Sequence, residues 1–403
     1  MQDTIVRRDH YLNIMREFKD EPLVKIITGI RRCGKSTLME MFVSDLKENG
    51  VPEKSVIHMN FEDHENSHIT DNDMLLNEVK SKVELKKGTY LFFDEIQDII
   101  GWEKAINSMR YSGADVYITG SNAKLLVSDF STYLSGRYVE IEMYPLSFRE
   151  YVKFFDENAN KDQLLIDYMY TGGLPYVASE RRKERNTDMI LSAIFNTVFV
   201  KDVVEKNDIR DVPALRNITR FVMKNIGNMT STRSASAYIV SKGGKISPPT
   251  VDAYLDHLES AYLIHRAQKY DLKKKEHLRT SNKFYVSDLG IGNNVVGYDD
   301  RDLSGMIENV VFMELLFRGK KVSVGNINGN EIDFIVMNKG EREYYQVTTE
   351  MFSPDVKERE TKPLKMVKDN FQKTIITLQR YPSKNIDGIR VIALADFLLE
   401  DIQ

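Results

Sequence analysis

Gly29 and Gly34 bracket four residues and are followed at once by Lys35 and Ser36, in the order Gly29-Ile30-Arg31-Arg32-Cys33-Gly34-Lys35-Ser36. This is the spacing G-x-x-x-x-G-K-[ST], which wraps a backbone around phosphate oxygens. The two glycines let the chain turn so that successive N–H groups point inward. The backbone of Gly29, Ile30, Arg31, Arg32, Cys33 and Gly34, together with Thr37 behind Ser36, would cradle the phosphates of ATP. Lys35 would reach the β- and γ-phosphates, and the Ser36 hydroxyl would ligate Mg²⁺. A surface turn with a chance lysine is the plain alternative, so the surroundings decide. Asp94 and Glu95 follow the apolar run Leu91-Phe92-Phe93. The aspartate would hold Mg²⁺ through its water shell, and the glutamate would orient and polarise an attacking water. The pair points to hydrolysis.

Two further residues fit the same chemistry. Asn122, with Ser121 as second choice, follows Val116-Tyr117-Ile118 and could bridge the γ-phosphate and the water. Ordinary turn chemistry is the alternative there. Arg137 comes after Gly136 and could act as an arginine finger, within the subunit or in a neighbouring copy. A structural ion pair would use it equally well.

These groups need a frame. The segment "PLVKIITG" (22–29) is short, apolar and β-branched, as a buried parallel strand should be. In "STLMEMFVSDLKENG" (36–50), Leu38, Met39, Phe42, Val43 and Leu46 recur at helical spacing before Gly50 stops the helix. Strand, glycine loop and helix therefore fall in order. Asp94 and Glu95 sit at the carboxyl end of their strand, where ligands bind in such sheets.

The bulk properties bound the rest. A chain of 403 residues predicts two or three domains. A net charge of −4 does not suggest a polyanion partner for the whole molecule, so any nucleic-acid surface must be local. The one cysteine, Cys33, excludes an internal disulfide and a cysteine-based zinc site. The charged N-terminus lacks the apolar core of a signal peptide. No apolar run approaches the roughly 18 residues of a membrane span. Together these give an expectation of a cytoplasmic protein with no membrane partner.

Residues 20–151 resemble an AAA-type ATPase core of the additional-strand, catalytic-glutamate class. The motifs that carry the likeness are GIRRCGKS, YLFFDE, ITGSN and the SGRY…PLSF run. The resemblance implies an α/β fold, with a parallel P-loop NTPase sheet in order 5-1-4-3-2 between helices. It also implies ATP and Mg²⁺ as ligands, and places "SVIHMNFED" (55–63) beside the strand of Asp94. The boundaries it gives are 1–151 for the ATPase core and 152–208 for a helical lid. Residues 209–285 resemble a winged helix-turn-helix, and 286–403 would form an α/β restriction-endonuclease-like domain. Gly172-Gly173-Leu174-Pro175 recurs in the family's lid; by itself it shows only a tight turn.

In the winged helix, 250–260 would be the recognition helix and 271–279 the wing. Arg266, Lys269, Lys273, Lys274, Lys275, Arg279 and Lys283 outnumber Asp271 and Glu276, as a double-stranded DNA contact requires. Asp252, Asp256 and Glu259 on the helix would repel DNA, so a protein-packing role stays open, as does a homo-oligomer. In the C-terminal part, Glu308 and Asp333 match a metal-dependent nuclease pattern, but Gln346 and Thr348 replace its acid and lysine. An inactive nuclease-like module follows. The expected activity is Mg²⁺-dependent ATP hydrolysis coupled to movement of these modules. The alternatives are a nucleotide-dependent binding switch with little turnover, or an ATP-regulated nuclease.

Overall fold

Every position of β1 (Val24–Thr28), β3 (Tyr90–Asp94) and β4 (Asp115–Thr119) is buried. Strands like these must be covered on both faces, which is the condition of a parallel sheet between helices. The computed structural model describes residues 5–120, 136–155, 158–183, 185–298, 302–338 and 340–401. They form two compact units, one of Ile5–Tyr144 with Ser260–Tyr262, the other of Pro145–Glu259 with Leu263–Gln403.

In the first unit, β1, β3 and β4 join β2 (Val56–Asn60) and β5 (Tyr138–Glu142) in a five-stranded parallel sheet of order β2-β3-β4-β1-β5. This is the 5-1-4-3-2 order read from the other edge. The strand at 55–63 pairs with β3, setting Asn60 opposite Asp94. Side chains alternate between faces. Ile26, Leu91, Phe93, Val116 and Ile118 pack with α3 (Asn72–Lys82) and α4 (Trp102–Tyr111) through Leu75, Val79, Trp102 and Ile106. On the other face, Phe92 stacks on Tyr117 at 4.8 Å, and both rings meet Phe42 of α2 (Lys35–Glu48).

Lys25 is fully buried beside those rings. Its ammonium donates to Asp115 and, at 3.0 Å, to the Glu21 carbonyl. The second Asp115 oxygen accepts from the Tyr117 hydroxyl at 3.0 Å and from Asp20 N at 2.9 Å. A buried ion pair is tolerated only when its remaining hydrogen-bonding capacity is met in this way.

In the second unit, helices Phe148–Phe155, Lys161–Thr171, Pro175–Arg182 and Asp188–Thr197 lead into a π-helical stretch, Val198–Val204. Three helices follow, Val212–Lys224, Thr232–Ser241 and Pro248–Ser260, then an antiparallel hairpin of β6 (Ile264–Asp271) and β7 (Glu276–Val286). The remaining strands are β8 (Val322–Ile327), β9 (Asn330–Asn338), β10 (Glu341–Thr348), β11 (Gln372–Thr377), β12 (Asn385–Ile386) and β13 (Ile389–Ala393).

All eight strands make one sheet, β12-β13-β11-β10-β9-β8-β6-β7. The hairpin is thus no free wing, because β6 pairs in parallel with β8 from Lys269↔Val324 to Asp271↔Asn326. The expected boundary at 285/286 falls inside this sheet-bearing unit.

The Gly172-Gly173 turn also has a task beyond turning. Gly173 N and Leu174 N donate to Asp288 Oδ2 at 2.7 and 3.2 Å, and a Cβ on Gly172 would lie 2.2 Å from Asp288 Oδ1. Among the described residues, no helix is long and apolar enough to cross a membrane.

Asp115→Ala should strand the Lys25 ammonium and cost about 3–5 kcal/mol in urea denaturation of the first unit. Adding Lys25→Met should recover most of that loss. An unshifted midpoint in the single variant would show that the pair carries no such constraint.

Candidate nucleotide site

The loop leaves the carboxyl end of β1, and α2 begins directly after Gly34. Gly29 has φ 137° and Gly34 φ 104°. A Cβ on Gly29 would lie 2.1 Å from the Met143 carbonyl oxygen, so only glycine lets the loop pass. Arg8, buried just ahead of α1 (Asp9–Glu17), holds the loop from behind. Its guanidinium donates to the Cys33 carbonyl at 3.3 Å and to the Tyr144 carbonyl at 2.9 Å. Cys33 is itself buried, and burial pushes its thiol pKa up, as suits a packing residue.

Lys35 is also buried. Its ammonium donates to the carbonyls of Gly29 (3.1 Å) and Ile30 (3.4 Å) and stands 3.9 Å from Glu95 Oε1. A cation thus lies in the concavity of the loop, close to the Glu95 carboxylate.

The two acids are positioned by the neighbouring strand. The Thr119 hydroxyl, at the end of β4, donates to Asp94 Oδ1 and accepts from Glu95 N at 3.0 Å. Glu95 adopts the left-handed conformation, φ 53°, which non-glycine residues seldom take. Gln97 Nε2 donates to Glu95 Oε2 at 2.7 Å. The other amide atom, Gln97 Oε1, is buried with no hydrogen-bond partner among the described residues.

The structure therefore brings Gly29, Ile30, Cys33, Gly34 and Lys35 together with Glu95, and fixes Asp94 next to it. Ser36 and Thr37 lie in the first turn of α2, half-buried. Arg31 turns to Glu62, 2.6 Å away, and Arg32 is exposed with φ 70°. Asn122 and Ser121 lie outside the described residues. Arg137 is elsewhere. It precedes β5 at the end paired with Val24, about 16 Å along the strands from the loop. There it is exposed and bonds the Tyr111 hydroxyl at 2.6 Å. A finger role on the nucleotide of its own subunit does not fit that position.

Thr119, a polar strand end passed over in favour of Asn122 and Ser121, joins the site, as do Arg8 and Gln97, which the sequence did not single out. Thr119 carried a signal, being the polar residue that ends a strand beside that of Asp94. Arg8 carried none.

In the second unit, Glu308, Asp333 and Gln346 come together, and Asp333 N donates to Gln346 Oε1 at 3.4 Å. Thr348 donates to the Glu350 carbonyl at 3.2 Å. Two members of the expected basic cluster are spent internally. Lys283 is 2% exposed and bonds Glu308 at 2.9 Å. Arg266 faces Asp256 at 2.6 Å, Glu259 at 3.4 Å and Asp252 at 4.0 Å. The helix acids expected to repel DNA are thereby engaged by the hairpin.

Sheet order, loop and acids together define an AAA-type P-loop ATPase domain, and residues 21–152 match the family described as AAA domain. Residues 162–302 match a domain of unknown function, DUF8612. An "uncharacterized protein" of Haemophilus influenzae is 35% identical over 99% of this chain and 100% of its own length. Uncharacterized protein MJ1544 of Methanocaldococcus jannaschii is 30% identical over 86% of this chain and 79% of its own. The chain belongs to one protein family with these two. A solved Walker-type ATPase of Pyrococcus abyssi shares the fold at 17% identity and a TM-score of 0.51, over 73% of this chain and 97% of that one.

Gly29→Ala should displace the loop by more than an ångström and weaken binding of a fluorescent ATP analogue by about 100-fold. Wild-type affinity in that variant would show that the Met143 contact does not shape the loop.

Proposed function

We propose that the first unit binds ATP with Mg²⁺ and hydrolyses its γ-phosphate. The observation that carries this reading is the Glu95 carboxylate, held by Gln97 and placed beside Lys35, with Asp94 tied to the next strand by Thr119. The residues suit the ligands. The buried Lys35 ammonium, held by the loop carbonyls of Gly29 and Ile30, is a cation suited to phosphate oxygens. A serine hydroxyl and a carboxylate are hard oxygen donors of the kind Mg²⁺ takes, alongside retained waters. Ser36 would hold the ion directly and Asp94 through water; the ion neutralises charge developing on the phosphate. Lys35 would exchange its two carbonyl partners for phosphate oxygens. Glu95 would then take a proton from the attacking water.

The second unit is the part this cycle would work through. Its three helices support the helix-turn-helix part of the reading, while the hairpin belongs to the larger sheet, and Glu308, Asp333 and Gln346 support a restriction-endonuclease-like ancestry. With Arg266 and Lys283 engaged internally, the lysines exposed at the hairpin turn are Lys273, Lys274 and Lys275. Losing Arg266 and Lys283 from the cluster leaves fewer phosphate contacts and fewer counterions to release, which weakens duplex binding. A protein partner therefore suits this unit better than DNA. An arginine finger from Arg137 would have to act on a neighbouring copy.

Lys35→Ala should lose ATP binding, while Glu95→Gln should keep it and lower turnover by about 100-fold or more. Equal turnover in wild type and Glu95→Gln would favour a binding switch over a hydrolase.

A further inference from the structure

Lys283 comes from β7, Glu308 from the helix Leu303–Phe317, and Glu331 and Asp333 from β9. The Lys283 ammonium lies 2.7 Å from Glu331 Oε1, 2.9 Å from Glu308 Oε2 and 3.5 Å from Asp333 Oδ1. Tyr285, two residues along the same strand, donates its hydroxyl to the same Glu308 oxygen at 3.1 Å. The second Asp333 oxygen accepts from Val347 N at 2.8 Å. Burial opposes the charge on Lys283, but Asp333, Glu308 and Glu331 outweigh it and hold the group protonated. Glu331 and Gln346 also line a cleft of about 570 Å³, together with Arg359 and Glu360.

A nuclease-like ancestry implies a divalent cation between Glu308, Asp333 and an acid at position 346. These residues do not fit one. Position 346 is a neutral amide, and the point where the carboxylates converge is taken by a charged nitrogen. Among the described residues, no three His, Cys, Asp or Glu side chains stand in a metal-holding arrangement, so a metal would require Glu308, Glu331 and Asp333 to close into the space the ammonium occupies. A divalent ion next to the ammonium would face strong repulsion in a site with so little solvent.

We infer that the ammonium of Lys283 is the resident cation of this carboxylate cluster, and that it keeps divalent metal out. The cluster then pins the hairpin to the helix and to β9. It supplies no Lewis acid to the cleft, and carboxylates facing a phosphodiester without a metal repel it. The second unit holds its cleft by an internal salt cluster rather than as a metal-dependent nuclease centre.

The test is Mn²⁺ binding to the full chain without nucleotide, read from the electron paramagnetic resonance of free Mn²⁺. Asp94→Asn is carried in every sample to silence the ATPase site. That reference chain should bind no Mn²⁺. Lys283→Gln should gain one Mn²⁺ per chain, and adding Asp333→Asn should remove it. Mn²⁺ bound by the reference chain and lost with Asp333→Asn would overturn the inference, as would a folded Lys283→Gln chain that gains none. Should Lys283→Gln fail to fold, recovery of its folding by Mn²⁺ supports the inference. Absence of recovery overturns it.

Discussion

The Met143 carbonyl oxygen sets the path of the phosphate loop. It lies where a side chain at position 29 would begin, so the chain after β1 must pass it as glycine in a conformation other residues avoid. Arg8 reinforces this from behind by bonding both the loop, at Cys33, and the segment after β5, at Tyr144. The loop is thereby referenced to β1 and to the chain beyond β5, and α2 starts at a fixed place. Lys35 opens that helix and inherits its position from the constraint.

The other half of the site is set in the same manner by β4. Thr119 spends its hydroxyl on Asp94 and on the backbone of Glu95, tying two strand ends with one side chain. Such a tie restricts both acids before any ligand arrives, and a preorganised acid loses little in reorganising. The Lys25–Asp115 pair does comparable work at the opposite end of β1 and β4. The central strands are fixed by polar groups at both ends and by apolar packing between.

Much of the first unit was legible because its signals are local. Glycine spacing, apolar strands and the acids after Phe93 are each contained in a few residues, and the likeness to AAA-type cores supplied the sheet order. The second unit was read less well, for a physical reason. Arg266 and Lys283 were grouped with nearby lysines because they are close in sequence. Alternation along β6 and β7 sends neighbouring side chains to different surroundings, and the partners of Lys283 lie 25 and 50 residues further on. The Gly172-Gly173 turn looked generic because its ligand, Asp288, is more than a hundred residues away. The boundary at 285 came from the family resemblance, whereas the parallel pairing of β6 with β8 joins strands from both sides of it.

In the proposed reading, the tie through Thr119 is what would set these strand ends for hydrolysis rather than leave a phosphate-binding loop beside two acids. Thr119→Val keeps the shape and removes the hydroxyl. Steady-state ATP turnover should fall by about 10- to 100-fold, as when a group supporting a metal ligand is lost, while ATP affinity measured in parallel stays near wild type. Unchanged turnover, or a loss explained entirely by weaker ATP binding, would contradict it.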